Sequence, residues 1–425
     1  MNVIDKTLSK IYNPEMYYLT IHKNKIRKQG GYDVLFLVDD GWNTIEEHIP
    51  VLYYIKKHFP EKRILTFLLT RHTMEMISQH PGIWHQVQDV SDTIIYNGFP
   101  YYESSNRCLQ AVRRLNVSLF NKALHECRNS LLDALLKGCE IRAVLFAGAG
   151  GEELGIDYIR MKYPMPRTRY ILHAQSPFIG IHSYKHGIDF PVTGLAATCS
   201  QEITRIPEND RKKIGWIEIV GSPKYDPWWT NQLQKTSGTR NYKDAQILVM
   251  LPKLNEVRFP QGDREEFKKF LTMAKQYRFV LKFHPRQLKN EKDEFLRQMM
   301  PCDCQYEVSD DSLLNIFQEV PCVISIGMTG ASADALLAGN MLVEFYNDFF
   351  QEGFYPCGNG YGTFLHQNDC VPHAKDADSL FHVIEGFFHK DLWKQYESRF
   401  QQYLPAENHA CERISEMLLQ GEDAK

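Results

Sequence analysis

The residues best suited to chemistry lie in two short segments about forty positions apart. In Phe279-Val-Leu-Lys-Phe-His-Pro-Arg286 an apolar run ends in an imidazole bracketed by Lys282 and Arg286. Pro285 has no backbone donor and fixes the turn, so His284 is expected at a strand's rim rather than inside a helix. There it can neutralise a phosphate or protonate a leaving oxygen near neutral pH. The second segment, Val323-Ile-Ser-Ile-Gly-Met-Thr-Gly-Ala-Ser332, reads as strand, small-residue turn and helix start. Ser325, Thr329 and Ser332 offer hydroxyls, and Gly327 and Gly330 let backbone amides approach a ligand. The helix that follows turns its positive end toward the same place, as a phosphate cradle requires. A strand-end histidine and an N-cap are the plain alternatives for each segment alone. The two together point to a nucleotide.

Carboxylates supply the candidate bases. Asp39-Asp40-Gly41 follows the first apolar run, and crowding of two acids raises the affinity of one for a proton. The competing reading is a turn at Asp40-Gly41 with Asp39 capping the helix that begins near Asn43. A second acidic pair, Glu152-Glu153, follows Gly148-Ala-Gly-Gly151; its plain alternative is the acidic first turn of a helix. His173 ends another strand and could touch an acceptor, although a buried, satisfied histidine is the commoner outcome. The glycines at 148–151 lack the third glycine of a dinucleotide fingerprint, and no Gly-Lys-Ser/Thr follows. Asp376-Ala-Asp378 reads as a helix cap, which disfavours a metal-dependent sugar transferase of the Asp-x-Asp type. Cys302-Asp-Cys304 has no second pair at zinc spacing, and no metal is expected.

The elements that must position these residues alternate along the chain. Val34–Val38, Ile64–Leu69, Thr93–Tyr96, Ala143–Ala147, Arg169–Leu172 and Trp216–Val220 are expected strands of a first half. Gln246–Leu251, Phe279–Phe283, Val323–Ile326 and Met341–Phe345 are those of a second. Continuous rather than alternating apolar runs predict strands covered on both faces, hence parallel sheets. Helical periodicity fills the gaps, with a long stretch from about Arg107 to Leu136 and a helical tail from Leu380 to Leu419. Lys235–Lys243 is the most linker-like stretch, so two doubly wound α/β domains are expected.

Composition narrows the function. The 425 residues are enough for two domains, and 49 basic against 52 acidic residues give no basic surface for nucleic acid. No apolar run reaches the roughly 20 residues of a membrane span. The opening residues do not read as a signal peptide, and the scattered cysteines suit a reducing compartment, so a cytoplasmic protein is expected.

The His-Pro after an apolar strand, and the Ser/Thr-rich turn whose helix runs into Leu336-Leu-Ala-Gly-Asn-Met-Leu-Val-Glu-Phe345, resemble the GT-B glycosyltransferases of bacterial capsules and lipooligosaccharides. The likeness is nearest to the sialyltransferase and polysialyltransferase group and the related Kdo-type transferases. Asp39-Asp40-Gly41 resembles that group's acidic triplet, and Gly221-Ser-Pro-Lys-Tyr-Asp226 looks like the end of a GT-B N-terminal domain. The group's paired serines are here Ser325-Ile-Gly-Met-Thr329, and the triplet stands early in the chain.

The resemblance implies an α/β GT-B fold, with two Rossmann-like domains facing a cleft and C-terminal helices. Residues 1–236 would bind the acceptor, 244–390 the nucleotide sugar, and 391–425 would form a helical tail. It implies an inverting transferase that moves a nonulosonate from a CMP-activated donor to a glycan or glycolipid. His284, Pro285, Ser325, Gly327, Thr329 and Ser332 would hold CMP without metal or other cofactor. Asp40 or Asp39, with Glu153 in reserve, would deprotonate the acceptor. Peripheral association with the inner membrane or capsule assembly proteins is left open. The alternatives are a CDP-polyol phosphotransferase that recruits His173 or His182, a UDP-sugar GT-B enzyme such as an epimerase, and an inactive nucleotide-sugar-binding partner.

Overall fold

The computed structural model describes residues 31–38, 42–68, 73–74, 77, 81–96, 139–147, 168–173, 192–236, 245–255, 259–284, 287–309, 311, 313–327, 331–346, 363–403 and 407–420. They fall into two compact units: 1–231 with 405–425, and 232–404.

The first unit holds a seven-stranded sheet in the order β3-β2-β1-β4-β5-β6-β7. Its strands are β1 (Tyr32–Val38), β2 (Ile64–Leu68), β3 (Thr93–Tyr96), β4 (Ile141–Phe146), β5 (Arg169–Leu172), β6 (Val192–Ala197) and β7 (Ile214–Ile219). Every pairing is parallel. The central strands β1, β2 and β4 are buried almost throughout, as continuous apolar runs require. Helix α1 (Trp42–His58) follows β1, and α2 (Pro81–Val90) lies between β2 and β3 in the chain. Strand β6, Val-Thr-Gly-Leu-Ala-Ala, carries no bulky periodicity, and the sequence alone does not announce it. Its small residues serve the neighbouring strand: Gly194 pairs with Trp216, and a Cβ there would lie 2.2 Å from the indole ring.

The second unit repeats the plan with six strands in the order β10-β9-β8-β11-β12-β13. These are β8 (Ile247–Met250), β9 (Arg278–Lys282), β10 (Gln305–Val308), β11 (Cys322–Ile326), β12 (Met341–Phe345) and β13 (His373–Ala374). All pairings are again parallel. Helices α3 (Gln261–Met273), α4 (Ala331–Leu337) and α5 (Ala377–His389) accompany them, and Phe267, Phe270, Leu380 and Ile384 share one core with the strands. Asp376 caps α5, accepting the Ser379 N–H at 2.8 Å, so the Asp-x-Asp does the capping expected of it.

The last helix, α6 (Ala410–Leu419), belongs to the first unit. Cys411, Ile414 and Leu418 are fully buried, the Asp226 carboxylate accepts the Cys411 N–H at 2.8 Å, and Arg169 donates to the Leu418 carbonyl at 2.6 Å. The chain therefore ends as part of the first core, whereas sequence reading gave 391–425 as a tail. The helical stretch expected at 107–136 lies outside the described residues. Among the described residues no helix is long and apolar enough to cross a membrane.

Candidate functional site

Doubly wound sheets bind ligands outside the carboxyl ends of their strands, where the strand order reverses. In the second unit that reversal lies between β8 and β11. Strand β9, beside β8, delivers Phe283 and then His284. Phe283 is buried and meets Phe295 edge-on at 5.6 Å, so alternation turns the next side chain, the half-buried His284, away from that anchor. The Gln287 N–H donates to the His284 carbonyl at 2.9 Å, and the Gln287 side-chain oxygen accepts the Leu254 N–H at 2.9 Å. One glutamine thus joins the exits of β8 and β9. Lys282 donates to the Asp311 carbonyl. Pro285 and Arg286 lie outside the described residues.

Strand β11 ends in the expected turn. Gly327 has φ of 67°, a left-handed conformation that favours glycine, and its N–H donates to the Phe345 carbonyl at 2.9 Å. Ser325 and Ser332 are both buried, and their hydroxyls meet at 2.8 Å, clasping β11 to α4. Their hydroxyls hold the turn's shape rather than stand open to solvent. Thr329 and Gly330 lie outside the described residues.

A second buried group of this region was not singled out in the sequence. Glu344, on β12, is fully buried; one carboxyl oxygen is held by the Thr363 hydroxyl, and the other has no hydrogen-bond partner among the described residues. Burial pushes its pKa up to about 8, against the opposing pull of Thr363. The Tyr346 hydroxyl accepts the Thr363 N–H at 3.3 Å and lies 3.2 Å from His366 Nδ1, and His373 Nε2 lies 2.7 Å from the Tyr346 carbonyl.

In the first unit the reversal lies between β1 and β4, and the exits of β5 and β7 gather around α1. His173 follows β5, Ser222 and Lys224 follow β7, and Glu47 and His48 come from α1. All five are buried. Ser222 donates to Glu47 at 2.6 Å, Lys224 Nζ lies 3.3 Å from Glu47 Oε2, and His173 Nε2 lies 3.9 Å from Glu47 Oε1. The His48 and His173 rings meet edge-on at 5.2 Å, with His48 Nδ1 donating to the Thr44 carbonyl at 2.8 Å. Burial raises the Glu47 carboxyl, although Lys224 and Ser222 pull it down. Burial lowers His173 to about 4, assisted by the Lys224 charge and opposed by the Gly221 backbone. Burial also lowers His48 well below its ordinary value, with His173 adding to it. Both imidazoles are therefore neutral at neutral pH. His173 is therefore buried and uncharged, with the Gly221 backbone beside it. The cluster clamps two strand exits to α1.

Replacing Lys224 by Met should cost about 3–5 kcal/mol near pH 7, because it removes a cation from a buried carboxylate. The loss should be smaller at about pH 5 than at about pH 7, because acid favours the protonated Glu47 that burial already favours. Urea unfolding at the two pH values measures this; equal losses would show that the ammonium does not stabilise Glu47.

Asp39, Asp40, Gly41, Glu153 and His182 lie outside the described residues. Among those described, no three His, Cys, Asp or Glu side chains gather as a metal site requires.

No family model matches the chain, and no curated protein does. Solved structures do. A UDP-GlcNAc 2-epimerase from Neisseria meningitidis bound to UDP-GlcNAc superposes with TM-score 0.54 at 12% identity, covering 91% of this chain and 98% of its own. MnaA of S. aureus with UDP gives 0.54 at 10%, covering 90% and 94%. UGT2 of Phytolacca americana, complexed with UDP-2fluoro-glucose and pterostilbene, gives 0.54 at 8%, covering 91% and 99%. At such identities the likeness is one of fold. Together with the two parallel sheets it makes this an α/β, two-domain, Rossmann-like GT-B fold.

Proposed function

We propose that this GT-B chain is a glycosyltransferase that takes its sugar from a nucleotide donor. The second unit holds the nucleotide, and His284 stabilises the departing phosphate. One observation carries the reading: His284 stands half-buried at the end of β9, beside the β8–β11 reversal, with its backbone fixed through Gln287. A protonated imidazole or its N–H, aimed at charge that grows as the sugar leaves, lowers the barrier most where water is scarce. The first unit binds a glycan or glycolipid acceptor, and Asp40 or Asp39, or else Glu153, takes its proton. The donor we favour is a CMP-activated nonulosonate, used without a metal; the His-Pro and the Ser325–Thr329 turn support it by resemblance. A UDP-sugar enzyme is the second reading, favoured by the UDP ligands of the similar structures.

Thermal melting with CMP, CDP and UDP, without added divalent metal, tests both. A ligand that binds only the folded state at about a hundredfold over Kd stabilises by about 2.7 kcal/mol, which in a protein of this size is a shift of about a few degrees. CMP is expected to give the largest shift. UDP ahead would move the assignment to a UDP-sugar enzyme, and CDP ahead to a polyol phosphotransferase. No shift with any nucleotide would end the transferase reading.

A further inference from the structure

Ser325 and Glu344 are register partners on the parallel strands β11 and β12, so their side chains leave the sheet on the same face. Ser325 bonds Ser332 at the start of α4 on that face, and Gly327 is fastened to Phe345, the residue after Glu344. The Glu344 carboxyl therefore leaves the sheet on the face that carries Ser325, one residue before the end of β12 and beside the strand exits to which the nucleotide phosphate is assigned. Among the described residues no cation pairs with it. The groups around it are the Thr363 hydroxyl, the Cys370 thiol and His373, its register partner on β13, with Tyr346 and His366 beyond. Asp369 and Arg399, an ion pair at 3.4 Å, lie beside Cys370. Burial holds that thiol at about 12, so it stays uncharged.

We propose that Glu344 serves the nucleotide site as a neutral carboxylic acid, and that binding of a nucleotide phosphate is linked to its proton. The proposal rests on the second unit being the nucleotide binder. Neutral, the acid leaves the turn free to accept an anion. Ionised, it sets a like charge near the phosphate; at roughly 10 Å and an effective dielectric of about 20 the repulsion weakens binding by about tenfold per unit of charge. Burial puts that ionisation near neutral pH, at about 8. Linkage is reciprocal, so a bound phosphate must also tighten the proton on Glu344. A nucleoside, which has no phosphate, must escape the effect.

The test titrates the full chain with CMP and with cytidine at about pH 7 and about pH 9.5, a window in which the CMP phosphate (second pKa about 6) keeps its charge. UMP and uridine replace them if uridine nucleotides bind better. CMP, a dianion across this window, is expected to lose more than about tenfold in affinity while cytidine affinity holds. Calorimetry near pH 8 in two buffers of different ionisation enthalpy should find proton uptake with CMP. Glu344→Gln, which keeps shape and the Thr363 contact, should bind CMP with a flat pH response. A flat response in the wild type, with CMP still bound, overturns the linkage and leaves the nucleotide reading standing. A slope that survives Glu344→Gln overturns it as well, and its loss in His373→Gln would assign the proton to that imidazole. Absence of nucleotide binding at every pH overturns the nucleotide reading and this inference with it.

Discussion

Replacing His284 by Ala is expected to lower turnover by roughly 10²–10³ while the protein stays folded, in line with removal of one group that stabilises developing charge. The fold should tolerate the change because the anchor of this strand end is Phe283, buried against Phe295, and not the half-buried imidazole beside it. The Gln287 bond to position 284 uses the backbone carbonyl, which alanine retains. The loss should therefore fall on the chemical step, with the thermal shift from nucleotide largely kept. Nucleotide release from the donor is the measurement, with and without acceptor. Activity within about threefold of wild type would remove His284 from the mechanism.

Glu344→Gln should make the protein more stable, by up to roughly 3 kcal/mol near pH 7. The sign follows from linkage. The folded state holds the Glu344 proton to about pH 8, whereas the unfolded chain releases it near 4.5. Folding stability is thus full below about 4.5, declines as pH rises toward about 8, and is flat beyond. Each pH unit in that interval costs about 1.4 kcal/mol. Glutamine avoids the cost, so the variant should match the wild type in acid and exceed it increasingly toward pH 8. Urea unfolding across about pH 4.5–8.5 gives the comparison. A constant difference at all pH values would mean that Glu344 is ionised in the folded protein.

The plan of the fold was legible where burial on both faces writes itself into composition. β1, β2, β11 and β12 are apolar apart from one polar residue each, and the expected strands coincide with them within a residue or two. Strand β6 was not legible, because its small residues answer to Trp216 on the next strand and not to a period of their own. Nor was β10, an edge strand whose Gln-Tyr-Glu-Val is largely exposed. The site divides in the same way. His284 and Gly327 could be found because local chemistry marks them: an imidazole before proline, a glycine in a turn. The cluster of Glu47 with Ser222 and Lys224 could not, since Glu47 lies 175 residues from Ser222 and in no motif, and the Gly221–Asp226 segment was read only as a domain end. Glu344 stood inside an expected strand, with nothing local to mark it. Only the register that sets it beside Ser325 gives it meaning.

The return of the chain to its first core has a consequence for biosynthesis. Unit one is assembled from 1–231 and 405–425, so its last helix leaves the ribosome only after all of 232–404 has been made. At about 5–20 residues per second the β1–β4–β5 surface that α6 covers stays open for about ten seconds or more. The second unit, which is one continuous stretch, is complete at residue 404, just before α6 is made. The order of completion in the cell is thus the reverse of the order of synthesis. Pulse proteolysis of stalled nascent chains should find the second unit protected before the first.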